Sequence, residues 1–111
     1  MAGKFVIGKR TNGDFQFNLK AGNGQVILAS QGYSDRSGCL NGVESVRTHS
    51  QDDANFERQT AKDGSPYFTL KASNGKVIGQ SEMYSGVAAR DNGIESVKSH
   101  APDAAIADET A

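Results

Sequence analysis

The chain reads FNLKAGNGQVI at residues 17–27 and FTLKASNGKVI at residues 68–78. The correspondence continues without a gap, so that residues 17–49 match residues 68–100 at one constant offset. Roughly half of the paired positions are identical, and a fixed period of this kind indicates an internal duplication. Each copy holds only about 50 residues, at the low end of what folds alone, so we expect the two copies to share one core.

Each copy begins with a pattern that predicts three antiparallel strands. In the middle strand of the first copy, Phe17 and Leu19 face inward and alternate with Asn18 and Lys20, which face solvent. Asn-Gly or Asp-Gly pairs separate the strands, at positions 12–13, 23–24, 63–64 and 74–75. These pairs favour two-residue hairpin turns because both of their positions tolerate positive φ.

The pattern then changes to the period of a helix. Val43 and Val46 recur on one face of this helix, and the hydroxyl of Ser34 is placed to cap its first turn. In the second copy, Ser85 takes the place of Ser34. Gly42 lies on the inward face, and we interpret it as allowing the helix to approach the sheet closely.

The sequence therefore predicts an α+β fold of tandem β-β-β-α units, in which two helices cover the antiparallel sheet or sheets about a pseudo-twofold axis. Residues 1–50 form the first repeat and residues 51–100 the second. Residues 101–111 contain acids, no base and few large apolar side chains, which predicts a disordered acidic tail. The pattern leaves open whether the two sheets join edge to edge or stack.

Composition narrows the classes of function. The formal net charge of −1 gives no electrostatic reason to expect binding to nucleic acid or to an anionic membrane. The sequence has no apolar run long enough for a signal peptide or a membrane span. The single Cys39 cannot form an internal disulfide. We expect a cytoplasmic protein that is monomeric, as an internal pseudo-dimer.

The repeated motif resembles one known family. The motif is Phe-x-Leu-Lys-Ala-x-Asn-Gly-x-Val-Ile, then Ser and Tyr, then Asn-Gly-Val/Ile-Glu-Ser-Val, and it occurs in both copies. It is similar to the YegP-like family of uncharacterised bacterial proteins, over about residues 3–100. The resemblance implies the two-copy form of a domain of unknown function. It also implies that the chain is a covalent version of the dimer expected of one-copy members.

Equivalent residues of the two repeats are candidates for binding. They are Lys20, Asn23, Ser30, Tyr33, Lys71, Asn74, Ser81 and Tyr84. A lysine next to an Asn-Gly turn can bind an anion together with the N–H groups of the turn. The Ser and Tyr precede a helix, whose N-terminus also attracts anions. Turn formation, helix capping and covering of the core account for the same residues without a ligand.

Catalysis has less support. Ser45 and His49 are i, i+4 neighbours on the first helix, and Ser96 and His100 repeat them on the second, so a hydroxyl–imidazole contact is expected. No oxyanion-hole motif and no third partner accompany them. Two histidines are too few for a structural zinc site. We predict no catalytic residue, no metal and no cofactor.

The leading hypothesis is a small non-enzymatic binding or interaction module with a protein or peptide partner. The alternative is weak nucleic-acid binding by the exposed face of the sheet. The outward residues of that face are Gln16, Asn18, Lys20, Tyr67, Thr69 and Lys71. Sheets that stack bases present several aromatic residues, and here Tyr67 is the only one, so this function ranks second. An enzyme ranks third.

Overall fold

The computed structural model describes residues 3–110. It contains β1 (Lys4–Lys9), β2 (Phe15–Lys20), β3 (Val26–Ala29), α1 (Arg36–His49), a short 3-10 turn (Asp53–Asn55), β4 (Phe56–Thr60), β5 (Pro66–Lys71), β6 (Val77–Gln80), α2 (Val87–His100) and β7 (Ala105–Asp108). The strands form one sheet in the order β4-β5-β6-β3-β2-β1-β7. The predicted α+β architecture of two β-β-β-α units is confirmed.

The two halves join edge to edge through their third strands. Strand β3 pairs with β6 in the antiparallel direction, and Ala29 lies opposite Gln80. Because these two residues are equivalent positions of the two repeats, the pseudo-twofold axis passes through this pair. Each helix packs against the middle strand of its own half and the third strand of the other half. Buried side chains from both halves consequently form one hydrophobic cluster.

The hairpin turns differ from the expected two-residue form. Gly24 has a φ of 86° and Gly75 a φ of 81°, whereas no residue other than glycine has positive φ among those described. The N–H of Gly24 donates to the carbonyl of Ala21 at 2.9 Å, and the N–H of Ala21 donates to the carbonyl of Gln25 at 2.9 Å. This is a three-residue loop in which only the glycine needs the left-handed region. The asparagine stabilises the turn through its side chain, since Oδ1 of Asn23 accepts from the N–H of Gln25 at 3.0 Å.

The predicted serine caps are also wrong by one residue. Helix α1 is capped by Asp35, whose carboxylate accepts from the N–H of Gly38 at 2.6 Å. Helix α2 begins after Gly86, which offers no side-chain cap. Ser34 and Ser85 precede these positions and lie outside the first turn.

The expectation of a disordered tail is wrong for Ala105–Asp108. This segment is strand β7, which pairs in parallel with β1, and Phe5 lies opposite Ile106. The strand pairs with β1 through its backbone, and Ala101 and Ala104 before it are buried, so this part of the tail is ordered without large buried side chains. Asp108 also forms an ion pair with Arg36 of helix α1.

The other edge of the sheet is protected by charge. On the edge strand β4, Arg58 stands where the first repeat has the buried Ile7. Its guanidinium lies 3.0 Å from the carboxylate of Asp91 on helix α2 and 3.7 Å from that of Asp53. Asp91 in turn stands where the first repeat has Leu40. A charged residue on the inward face of an edge strand discourages pairing with another chain.

Neither helix of residues 3–110 is long and apolar enough to cross a membrane.

Candidate functional site

Two equivalent clefts lie where the halves meet. Each is formed between the β-hairpin of one half and the helix of the other, and we name them the α2 cleft and the α1 cleft after that helix. Their volumes are about 290 Å³ and 280 Å³. Every residue that lines the α2 cleft has its repeat equivalent in the α1 cleft. The polar residues of the α2 cleft are Asn23, Gln25, Glu82, Tyr84, Asn92 and Ser96. Their equivalents in the α1 cleft are Asn74, Lys76, Gln31, Tyr33, Asn41 and Ser45.

A tyrosine and a helix glycine shape each cleft. The ring of Tyr33 stacks on Phe17, with ring centroids 6.3 Å apart and planes 16° apart. A Cβ atom at Gly42 would lie 2.8 Å from Cζ of Tyr33 and 3.0 Å from Cε2 of Phe17. Glycine is therefore required because the tyrosine ring, together with the sheet residue beneath it, occupies the space of a side chain. The second repeat has the same arrangement.

The hydroxyl of each cleft tyrosine lies close to the helix glycine. Among residues 3–110, no side chain or backbone group forms a hydrogen bond with Oη of Tyr33 or Tyr84. Both oxygens are at least partly accessible to solvent. Burial raises the pKa of both phenols above the ordinary value of 10.0, and for Tyr84 the nearby charge of Glu82 adds to the effect. Each phenol is therefore neutral at physiological pH and offers both a donor and an acceptor.

Amide side chains lie at both walls of each cleft. The side chain of Asn92 on helix α2 is exposed and makes no hydrogen bond with the described part of the chain, and the same holds for the side chain of Asn41 on helix α1. On the opposite wall, the Oδ1 atoms of Asn23 and Asn74 accept from their own turns at 3.0 Å each. Their NH₂ groups remain available. These amides, like the phenols, are donors and acceptors that carry no formal charge.

In each serine–histidine pair, the imidazole contacts the backbone of its own helix as well as the serine hydroxyl. Nδ1 of His100 lies 2.8 Å from the carbonyl oxygen of Ser96 and 3.2 Å from its Oγ. A carbonyl only accepts, so this contact assigns the Nδ1–H tautomer, in which Nδ1 cannot take the proton of the serine. Nε2 of His100 accepts from the N–H of Gly22 at 3.5 Å. His49 repeats the Nδ1 contact with Ser45 at 2.8 Å. Neither histidine is placed to activate its serine.

Among positions 3–110, no three His, Cys, Asp or Glu residues cluster closely enough to hold a metal ion.

The structure brings together half of the candidate binding residues predicted from the sequence. Asn23 and Tyr84 line the α2 cleft, and Asn74 and Tyr33 line the α1 cleft. Each pair combines residues of different repeats, so the partner of Asn23 is Tyr84 and not Tyr33. The sequence could not show this, because the repeat relates positions in sequence and does not say which half lies next to which.

The remaining candidates lie elsewhere. Ser30 and Ser81 are buried, and their hydroxyls accept from the N–H groups of Phe17 and Phe68 at 2.8 Å and 2.9 Å. They connect neighbouring strands and do not face the clefts. By strand alternation, Lys20 and Lys71 lie on the sheet face opposite the helices.

The helix asparagines of the clefts are not among the binding residues predicted from the sequence. Asn41 and Asn92 belong to the repeated Asn-Gly-Val/Ile-Glu-Ser motif, for whose asparagine the sequence predicts no binding role. The available signal was spacing, since Asn41 and Ser45 are i, i+4 neighbours and share one helix face. Lys76 and Glu82 also line a cleft and lie at positions where the repeats differ.

Comparison with known proteins agrees with the fold. A family model described as a domain of unknown function (DUF1508) matches residues 11–57 and again residues 61–108. A UPF0339 protein of Stutzerimonas stutzeri from the 5′ region of the ptx operon is 55% identical over 106 residues, which cover 96% of each chain. The UPF0339 protein YegP of Escherichia coli K12 is 41% identical over 110 residues, which cover 99% of this chain and 100% of YegP.

Solved structures of two relatives share the architecture. The solution NMR structure of a UPF0339 protein from Shewanella oneidensis superposes with a TM-score of 0.91 at 49% identity, covering 97% of this chain and 92% of that one. The solution NMR structure of the E. coli yegP protein, described as of unknown function, gives 0.93 at 40% identity, covering 98% and 94%.

Proposed function

We propose that this chain, which belongs to the DUF1508 family of unknown function, is a non-enzymatic binding module whose two clefts each take a short extended peptide segment. It works as a monomer, an internal pseudo-dimer in which the duplication supplies two sites on one chain. The observation that carries the proposal is the repetition of the clefts. The same unpaired phenol and amide groups occur in both, and both clefts draw residues from the two halves.

The dimensions of the α2 cleft suit an extended chain. Its helix wall runs from Ala89 to Ser96, and an adjoining hollow of about 440 Å³ continues to His100. From Ala89 to His100, the helix is about 16 Å long. An extended peptide of about five residues has the same length.

The chemistry of the walls suits a peptide backbone. Each peptide unit carries one donor and one acceptor, and a primary amide offers both as well. Asn23 and Asn92 present their amides from opposite walls of the α2 cleft, and the phenol of Tyr84 adds a third group. Neutral groups of this kind can bind a backbone without selecting its sequence, so affinity rests mainly on hydrogen bonding and cleft shape.

The open face of the sheet supports nucleic-acid binding less well. Nζ of Lys71 donates to the carboxylate of Glu57 at 2.7 Å, which neutralises one of the two lysines that this function would use. The hydroxyl of Tyr67 donates to Oε1 of Gln59 at 3.2 Å. The face therefore offers a single aromatic ring and a partly compensated charge, where base stacking relies on several rings and an excess of positive charge.

The test is an NMR titration of the ¹⁵N-labelled chain with a mixture of capped pentapeptides of random sequence. Shift changes are expected at the backbone amides of Gly42 and Gly93, which lie in the two cleft walls. An Asn41→Ala/Asn92→Ala variant should lose these changes. Both positions are exposed on helices, where alanine is favourable, so the variant should fold.

The matched control changes the other face of the molecule. A Lys20→Ala/Lys71→Ala variant should bind the peptides as the intact chain does. Loss of binding in this variant with retention in the asparagine variant would overturn the proposal. A parallel titration with single-stranded oligonucleotides at low salt distinguishes the alternative. Oligonucleotide binding that the lysine variant abolishes, without any peptide binding, would favour a nucleic-acid module.

A further inference from the structure

The two clefts are equivalent in shape but differ in charge. Where the α2 cleft has Glu82, the α1 cleft has Gln31, and where the α2 cleft has Gln25, the α1 cleft has Lys76. All four side chains are exposed. The lining of the α2 cleft therefore carries one negative charge, and the lining of the α1 cleft carries one positive charge.

Both charges are free to meet a ligand. Neither Glu82 nor Lys76 takes part in a salt bridge with the described residues, unlike Lys71 and Lys98 elsewhere on the surface. The carboxylate of Glu82 is close enough to the phenol of Tyr84 to raise the pKa of that group further, after the larger effect of burial. It is thus near the unpaired hydroxyl that the ligand would reach.

Two other polar side chains of the α1 cleft are engaged within the protein. Nε2 of Gln31 donates to the carbonyl of Val77 at 3.2 Å, so this side chain ties the two halves together. Asp35 is another charge at the end of the α1 cleft, beside Gly38, but its carboxylate caps helix α1. The partial positive charge of that helix end offsets it. Lys76 therefore sets the sign of the free charge in the α1 cleft.

We propose that the two clefts select peptide segments of opposite charge. The α2 cleft takes a segment with a basic side chain, through Glu82, and the α1 cleft takes a segment with an acidic side chain, through Lys76. This inference rests on the proposed function, because it names the ligand of the same clefts. One chain then binds two charged segments at once. A partner that carries both segments on one linker binds with higher overall affinity.

The expected selectivity is modest because both charges are exposed. A solvent-exposed ion pair corresponds to about a two- to fivefold preference at low salt. The preference decreases as salt is added, since screening acts on exposed charges.

The experiment compares two pentapeptide probes that differ in one residue, acetyl-Gly-Gly-Lys-Gly-Gly-amide and acetyl-Gly-Gly-Glu-Gly-Gly-amide. The backbone amide of Gly93 reports on the α2 cleft and that of Gly42 on the α1 cleft. The lysine probe should shift Gly93 at lower concentration than the glutamate probe does, and Gly42 should show the reverse order.

Two single variants serve as matched controls. Glu82→Gln gives the α2 cleft the side chain of its counterpart and should abolish the preference there while leaving the α1 cleft unchanged. Lys76→Gln should do the reciprocal. Equal binding of both probes in both clefts would overturn the charge selection and leave the peptide-binding proposal standing. The absence of shifts at Gly42 and Gly93 with either probe would overturn both.

Discussion

The two halves carry very different residues at one equivalent position near the pseudo-twofold axis. Leu28 and Gly79 are equivalent residues, and both are buried where β3 meets β6. A Cβ atom at Gly79 would lie 2.7 Å from Cγ and Cδ2 of Leu28 and 3.1 Å from Cδ1. The space near the axis therefore holds one leucine side chain and not two. Gly79→Leu forces a second side chain into this space, and overpacking of a core costs about 1–3 kcal/mol.

Exchanging the two residues should recover part of that loss. Leu28→Gly alone leaves a cavity and places glycine in a strand, at a cost of about 3–6 kcal/mol. In the double variant Leu28→Gly/Gly79→Leu, the leucine of the second half can enter the space that the first half vacates. We expect the double variant to be more stable than the sum of the single effects by about 2–3 kcal/mol.

Urea unfolding of the four proteins, followed by circular dichroism, gives the coupling between the two positions. Similar slopes of the free energy of unfolding against urea in all four proteins would show that the comparison is valid. Additive losses would show that the two positions do not share one space, because side chains that compete for one space cannot act independently.

Three further perturbations test other parts of the structure. The free energy of unfolding should fall as the pH rises above about 10, because the unfolded chain loses the protons of Tyr33 and Tyr84 before the folded chain does. A Tyr33→Phe/Tyr84→Phe variant should show a smaller decline above about pH 10 in the same urea assay, and an equal decline would contradict the assignment. The Arg58→Ile/Asp91→Leu variant, which has the residues of the first repeat, should fold normally and self-associate in analytical ultracentrifugation. A monomeric variant would show that this ion pair does not prevent pairing at the edge strand β4. Asp108→Asn removes the ion pair that holds β7 to helix α1, so hydrogen exchange in β7 should accelerate while exchange in β2 and β5 is unchanged. Unaltered exchange in β7 would show that backbone pairing alone retains the strand.

The elements that depend on local pattern were predictable. Alternation around Phe17 and its counterpart Phe68 specified the middle strands, and the helical spacing of Val43 and Val46 specified the inward face of α1. These features follow from periodicity, which each repeat displays twice. The interpretation of Gly42 was incomplete, since its lack of a side chain makes room for a tyrosine as well as for the sheet.

The features that depend on contact between distant segments were not predictable. The two halves of the sheet join through the pair of Ala29 and Gln80, and neither residue signals an inter-strand partner. Strand β7 consists of Ala-Ile-Ala-Asp, which has too little apolar character to be distinguished from a tail. Arg58 faces the core and so breaks the alternation of apolar and polar residues that would mark strand β4. A charge is favourable there because it discourages the edge strand from pairing with another chain.

The candidate site was half predictable for the same reason. Asn23 and Tyr84 were identified, each from its own repeat, but their meeting in one cleft follows from the edge-to-edge joining of the halves. The lysines were identified from their proximity to the turns in sequence. Strand alternation places them on the opposite face, and a bulge precedes both Lys20 and Lys71.

The proposed function requires that the clefts between the repeats bind extended peptide. An isotope-filtered nuclear Overhauser spectrum of the labelled chain with the unlabelled lysine pentapeptide shows which residues the peptide contacts. We expect cross-peaks from the peptide to the ring of Tyr84 and the side-chain amide of Asn92. Cross-peaks to the ring of Tyr67 on the open face, with none to Tyr84 or Asn92, would contradict the claim.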